Sequence, residues 1–176
     1  MKNKIYKYDF LVIGAGLIGA IAGLTLAQRK FKVLVIDKKI NKFTDNRTLA
    51  VNANSIDFLK QLGVWENLKS KPQKIEKIVI KDNINNQPLI FENDKEPMGN
   101  VIFNKELYEI TRKKLENLKI FKTDVDLKFS KIMPNKILKI NNKDYIFKKI
   151  VFSIGKSIIF DLNHKSIVQK YSFVLG

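Results

Sequence analysis

The sequence has 176 residues, of which 45% are hydrophobic and 28% are charged, a composition typical of a globular domain rather than of a disordered tail. It contains no cysteine and one histidine, His164, which excludes a disulfide framework, a thiolate nucleophile and a zinc site built on thiolates. The net charge is +16, but the basic residues are scattered lysines, so we expect a solvated basic surface and no nucleic-acid partner.

The first predicted element is a strand that ends at a glycine-rich turn. Residues 8–13 form a buried apolar run, the motif G-x-G-x-x-G follows at Gly14, Gly16 and Gly19, and residues 17–29 have helical length and composition. In such a unit, Gly14 permits a tight turn, Gly16 lets the backbone approach a pyrophosphate, and Gly19 lets the helix pack on the sheet. The N-terminus of the helix then favours a phosphate group.

A second apolar run over residues 32–36 ends at Asp37, at about the spacing of the acid that accepts hydrogen bonds from a ribose. An acid at this position disfavours a 2′-phosphate. Together, the strand, glycines, helix, strand and acid predict a dinucleotide site, with a ligand-free tight turn as the alternative. Residues 10–27, which follow several lysines, also resemble a signal peptide or membrane anchor, but their four glycines and the second strand favour the dinucleotide unit.

After Asp37, helices and short strands are predicted up to residue 118, and only strands are predicted after it. Residues 38–46 are a predicted loop and 55–62 a predicted helix that stops at Gly63. Short strands are predicted around residues 75–80 and 88–91, with a helix at 105–118. Further strands are predicted at 118–121, 125–133, 137–140, 145–147 and 150–153, with turns at residues 134–135 and 141–142. The fold class is therefore α/β.

The segment Asp45-Asn46-Arg47-Thr48-Leu49-Ala50-Val51, followed by Ser55, Leu59 and Leu62-Gly63-Val64-Trp65, resembles the FAD-dependent aromatic hydroxylases of ubiquinone biosynthesis. The likeness continues to Pro97-Met98-Gly99-Asn100 and Asn104-Lys105-Glu106-Leu107, and covers about residues 5–120. It implies a single Rossmann-like FAD/NAD(P)-binding unit over residues 1–176. Within it, residues 72–104 would begin a substrate domain and 124–148 would be an inserted antiparallel β-meander, while the C-terminal half of the family's fold would be absent.

The resemblance implies a flavin monooxygenase in which NAD(P)H reduces FAD and oxygen is transferred to a polyprenylated phenol. Gly14, Gly16 and Gly19 would face the FAD pyrophosphate, and Asp37 its adenosine ribose. Arg47 would lie beside the flavin phosphates or the substrate mouth, where a guanidinium binds oxyanions; the alternative is a surface pair with Asp45. Asn104 matches a flavin-facing position loosely and is equally a candidate helix N-cap. No catalytic residue is assigned.

Two departures from the family keep other functions open. Ile154 precedes Gly155 where the family has Asp-Gly, and the later Gly-Asp stretch and substrate domain are missing, with residues 171–175 resembling the first strand of that domain. An inactive remnant and an NAD-binding dehydrogenase or sensor are the alternatives. We expect a cytoplasmic location with peripheral contact at the inner face of the membrane, other ubiquinone-biosynthesis proteins as partners, and His164 in a solvated loop.

Overall fold

The computed structural model describes residues 4–38, 46–81, 87–125, 135–140 and 142–154. Its elements in chain order are β1 (Ile5–Ile13), α1 (Leu17–Gln28), β2 (Val33–Ile36), β3 (Thr48–Asn52), α2 (Ala53–Gln61), a short 3-10 helix (Trp65–Asn67), β4 (Gln73–Ile75), β5 (Lys77–Ile80), β6 (Leu89–Glu92), β7 (Gly99–Phe103), α3 (Asn104–Asn117), β8 (Phe121–Lys122), β9 (Leu138–Ile140) and β10 (Lys143–Phe152).

The main sheet has five strands in the order β8-β2-β1-β10-β9. The first four are parallel, and β9 pairs antiparallel with β10. The chain runs outwards from β1 through β2 to β8 and then returns to the other side of β1 with β10. The order of strands therefore reverses between β1 and β10, and in parallel α/β sheets the carboxyl ends of strands at such a point border a ligand crevice.

The apolar runs of β1 and β2 form the central strands because both of their faces are covered. Val12, Val33 and Val35 belong to one buried cluster that also contains residues of α1, α2 and α3. Leu34 and Ile36 alternate with them and face a second cluster, which contains Phe147 of β10. The period of two along β2 thus places its side chains on alternate faces of one sheet.

Two smaller sheets lie in the middle of the chain. One has the order β3-β7-β4 and is antiparallel, and the other is the β5–β6 hairpin. Between β3 and the 3-10 helix, the Asn52 side chain caps α2 by accepting a hydrogen bond from the Ser55 N–H at 2.9 Å. After α2, Gly63 has a φ of +60°, which confirms the predicted glycine stop.

Two of the predicted strand boundaries were wrong. Residues 145–147 and 150–153 are not separate strands of a meander, because β10 runs unbroken from Lys143 to Phe152 and is parallel to β1. Lys148 and Lys149 interrupt the apolar pattern of β10. Lys148 is accommodated because its Nζ bonds the Asp9 carboxylate of β1 at 2.7 Å. The strand predicted at 118–121 is also wrong, because residues 118–119 form a turn after α3 and only Phe121 of this segment lies in a strand, the two-residue β8.

Several expectations fall outside the described residues. These are the loop at 39–45 with Asp45, most of the strand predicted at 125–133, and the segment 155–176 with Gly155, His164 and the strand at 171–175. Residues 10–27, the alternative signal or anchor segment, instead form part of β1, the glycine turn and most of α1. In the part of the chain that the structure describes, no helix is long and apolar enough to cross a membrane.

Candidate functional site

Gly14 begins the turn at the carboxyl end of β1. Its φ is +96°, a conformation that side chains rarely adopt. Its N–H donates to the Ile36 carbonyl at 2.8 Å, and a Cβ placed on it would lie 2.2 Å from the Ser153 carbonyl oxygen. Both the backbone conformation and the closeness of β10 therefore require glycine, as the predicted tight turn does.

Gly19 lies in the first turn of α1 and is buried. A Cβ on Gly19 would lie 1.8 Å from the carbonyl oxygen of Gly14. The helix can therefore approach the turn this closely only because position 19 has no side chain. This agrees with the predicted role of the third glycine in packing.

Gly16 differs from the other two glycines of the motif. It is the N-cap of α1, with the ordinary extended dihedral angles φ −60° and ψ 177°, and a Cβ placed on it would have no neighbour within 4 Å among the residues that the structure describes. Neither backbone strain nor protein packing explains a glycine here. The open space beside Gly16 is what an approaching ligand needs.

The N-terminus of α1 borders this space. Within the described ranges no side-chain hydrogen bond caps this terminus, and the first turn of α1 contains no acidic residue. The first N–H groups of a helix have no partner within the helix, and they carry the positive end of its dipole. Among the described residues, this terminus is thus left available for an anion such as a pyrophosphate.

Asp37, at the carboxyl end of β2, is held against the glycine turn. Its Oδ2 accepts the Ala15 N–H at 2.8 Å, and its Oδ1 accepts the Lys38 N–H at 2.7 Å. Each carboxylate oxygen can accept more than one hydrogen bond, so both retain capacity for ribose hydroxyls. The structure thus brings Asp37 together with Gly14, Gly16 and Gly19.

Arg47 lies directly before β3, which belongs to the three-stranded sheet and not to the main sheet. The Arg47 carbonyl accepts the Asn104 N–H at 3.0 Å, which ties it to the start of α3, and its side chain is exposed. The prediction that Asn104 caps α3 was wrong. Phe103 occupies the N-cap position without a side-chain hydrogen bond, and Asn104 is the first helical residue and is buried.

The sequence predicts a strand at residues 150–153 but not that the end of this strand closes the glycine turn. The Ser153 N–H donates to the Ile13 carbonyl at 2.8 Å, and the Ser153 carbonyl lies against Gly14. Ile154 then packs against the second apolar cluster. The apolar run at residues 150–154 was the available signal, but its pairing with β1 is nonlocal.

The first turn of α3 also carries a carboxylate with a shifted pKa. Partial burial raises the pKa of Glu106, but hydrogen bonds from the Ser70 and Lys69 N–H groups outweigh it and lower the pKa below 4.5. The Ser70 bond measures 3.0 Å to Oε1, which the Lys69 N–H also contacts. Glu106 thereby fastens the segment after the 3-10 helix to α3.

Residues 7–134 match a protein family described as the FAD binding domain. The chain belongs to this family. The match confirms the resemblance to FAD-dependent enzymes. The open glycine, the free helix N-terminus and Asp37 provide a site that suits the dinucleotide part of FAD.

Several known proteins are similar to this FAD-binding domain. The ubiquinone biosynthesis monooxygenase COQ6, mitochondrial, of Caenorhabditis elegans is 28% identical over 105 residues, which are 52% of this chain and 23% of that protein. The structure of 2-methyl-3-hydroxypyridine-5-carboxylic acid oxygenase matches 84% of this chain and 38% of its own, with a TM-score of 0.63 and 14% identity. The p-nitrophenol 4-monooxygenase PnpA of Pseudomonas putida matches 84% and 41%, with a TM-score of 0.60 and 11% identity.

The two solved structures show a fold shared with the FAD-binding domain. The domain spans about a quarter of the length of the worm protein and about two fifths of the length of each solved chain.

Proposed function

We propose that the chain is the FAD-binding part of a flavin monooxygenase that hydroxylates a polyprenylated phenol in ubiquinone biosynthesis, with NAD(P)H as the electron donor. The observation that carries FAD binding is the open space at Gly16, beside an uncapped helix N-terminus and the Asp37 carboxylate. On this proposal the main sheet is a Rossmann-like dinucleotide-binding sheet, with the ligand at the point where the strand order reverses.

The residues of this chain would bind and orient the dinucleotide. The N-terminus of α1 would neutralise the pyrophosphate, Gly16 would let it approach the backbone, and Asp37 would accept hydrogen bonds from the adenosine ribose. Arg47 would bind a phosphate oxygen or an anionic group at the substrate mouth. Bound FAD supplies the redox chemistry that activates oxygen, which no side chain of the protein can supply.

Support for the substrate comes from the similarity to a ubiquinone biosynthesis monooxygenase and from the motif between Arg47 and Trp65. Because the matched part covers less than half of each relative, we propose FAD binding for this chain and oxygen transfer for the complete enzyme to which such a part belongs. A cytoplasmic location with peripheral membrane contact, and association with other proteins of ubiquinone biosynthesis, complete the proposal.

Two alternatives each have an observation in their favour. Asp37 would bind the ribose of NAD as well as that of FAD, which favours an NAD-binding dehydrogenase or sensor. Ile154 packs into the second apolar cluster beside the turn, at the place where the resemblance calls for an acid, which favours an inactive remnant.

Equilibrium titration with FAD and with NAD separates these functions. We expect quenching of FAD fluorescence by the wild-type chain and its loss in Gly16→Val, because a branched side chain would fill the space beside the turn. Circular dichroism of Gly16→Val should show the wild-type spectrum and a melting temperature lowered by no more than about 5 °C, because valine is less favourable than glycine at an N-cap. A preference for NAD would support the dehydrogenase or sensor, and a folded wild-type chain that binds neither nucleotide would support the remnant.

A further inference from the structure

The amino-terminal end of β1 carries a basic surface far from the glycine turn. A cavity of about 410 Å³ opens there, lined by Lys4, Ile5, Tyr6, Lys7, Tyr8 and Lys32. Strand β1 has nine residues and rises by about 3.3 Å per residue, so its first and last residues are separated by roughly 26 Å. A partner bound at this end would leave the proposed dinucleotide site uncovered.

The positive charges of this surface are not neutralised within the described residues. Lys4, Lys7 and Lys32 are exposed, and none of them has an ion pair in the described ranges. Lys4 Nζ lies 5.6 Å from the centre of the Tyr6 ring, and Lys143 Nζ approaches the same ring to 6.0 Å. Two ammonium groups therefore lie near one aromatic side chain.

The carboxylates near this surface are already used or buried. Asp9 accepts bonds from Lys148 Nζ at 2.7 Å and from the Lys32 N–H at 2.9 Å. The Lys148 bond, followed by that of Lys32, lowers the pKa of Asp9, so Asp9 stays ionised and paired. Asp144 is buried. The exposed charge of the surface is therefore positive.

An exposed aromatic residue adjoins the same surface. The turn between α1 and β2 contains Arg29, Lys30, Phe31 and Lys32, and Phe31 is 45% exposed. It packs edge-on against Phe10 at a ring distance of 5.1 Å. The Lys32 carbonyl accepts the N–H groups of Asp9 and Phe10, which fixes the turn to β1. We call Lys4, Lys7, Arg29, Lys30, Phe31 and Lys32 the basic edge.

We propose that the basic edge is a docking surface for an anionic lipid bilayer. Basic side chains near such a surface are attracted to its headgroups, and an exposed aromatic ring gains by entering the interface. A nucleic acid would share the first attraction but offers no apolar layer for Phe31. Docking at the basic edge would specify the surface for the peripheral membrane contact of the proposed function and would not require bound FAD. The basic edge extends from the amino-terminal end of β1 to Asp9 and Phe10, whereas the glycine turn follows the carboxyl end of β1.

Cosedimentation with vesicles tests the charge component. We expect the wild-type chain to bind vesicles of phosphatidylcholine and phosphatidylglycerol in equal parts, and to leave phosphatidylcholine vesicles unbound. Lys4→Gln with Lys7→Gln should weaken binding about twenty-five-fold, at a factor of about five for each charge. The matched control is Lys74→Gln with Lys113→Gln, which removes the same charge at exposed positions of β4 and α3 and should retain wild-type binding.

A tryptophan at position 31 tests the apolar component. Phe31→Trp should shift its fluorescence to shorter wavelength with the anionic vesicles and not with single-stranded DNA. If the two lysine double variants lost vesicle binding equally, the proposal would be overturned, because the attraction would then depend on the net charge of the protein and not on the basic edge. Tighter binding to DNA than to vesicles would overturn it in favour of a nucleic acid. The lysines could instead serve only to prevent another strand from pairing with the open edge of β1. In that case the wild-type chain would not bind vesicles and the variant Lys4→Gln with Lys7→Gln would aggregate, which would also overturn the proposal.

Discussion

The Asp37 carboxylate accepts a hydrogen bond from the Ala15 N–H, with 2.8 Å between Asp37 Oδ2 and Ala15 N. This bond joins the end of β2 to the middle of the glycine turn. Because Ala15 is fully buried, water cannot readily replace Asp37 as the partner of this N–H. The acid that we assign to the ribose therefore also stabilises the turn.

Asp37→Ala should lower the free energy of unfolding by about 1–3 kcal/mol, because it leaves a buried N–H group without an acceptor. Asp37→Asn should cost less, because its amide oxygen can still accept the bond, although without a charge. Urea unfolding of the three proteins measures both changes. Equal stability of Asp37→Ala and the wild type would show that the carboxylate has no role in the turn.

Alanine at each of the three motif glycines should separate folding from ligand binding. Gly14→Ala and Gly19→Ala should each lower the free energy of unfolding by at least about 2 kcal/mol, because the new Cβ would meet a carbonyl oxygen. Gly16→Ala should cost less than about 1 kcal/mol, the loss expected at an uncapped N-cap position. Thermal or urea unfolding gives the order, and a Gly16→Ala as unstable as Gly19→Ala would contradict an open site.

The sequence predicts the β1-turn-α1-β2 unit well because its signals are local. The apolar runs, the glycine spacing and Asp37 all lie within one short segment, and each glycine role has a physical meaning without knowledge of the rest of the fold. Asp37 was predicted as a ribose ligand, yet its bond to Ala15 depends on how β2 ends beside the turn, which no spacing specifies.

The remaining strands depend on partners far away in the sequence. Strand β3 becomes a strand because Thr48 pairs with Phe103 of β7, and neither segment has a clear alternating pattern. Strand β10 was divided in the prediction because Lys148 and Lys149 interrupt its apolar residues. The contact between Ser153 and Gly14 depends on the same long-range pairing, so the wall of the candidate site could not be derived from local signals.

The hydrogen bonds that lower the pKa of Glu106 predict a stability change in acid. A carboxylate whose pKa is lower in the folded state stabilises the fold above its unfolded pKa, and this contribution is lost as the pH falls through the folded value. Glu106→Gln should therefore be less stable than the wild type at neutral pH, with the difference shrinking below pH 4.5.

Urea unfolding of both proteins at neutral pH and at pH about 3 measures this difference. Glu109→Gln is the matched control, since Glu109 is an exposed glutamate one turn further along α3 and should show little change at either pH. A stability difference between Glu106→Gln and the wild type that is the same at both pH values would contradict the assignment.

Gly23 on α1 and Val35 on β2 should show strong energetic coupling. A Cβ on Gly23 would lie 2.5 Å from Val35 Cγ2 and 3.3 Å from Leu115 Cδ2. Gly23→Ala should therefore lower the free energy of unfolding by about 1–3 kcal/mol, despite the better helix propensity of alanine.

Val35→Ala should also destabilise the fold, because it leaves a cavity in the core. In the double variant, the new methyl group occupies part of that cavity. Its destabilisation should be smaller than the sum of the single effects by at least about 1 kcal/mol, whereas additive effects in urea unfolding would show that helix and strand do not meet at these residues.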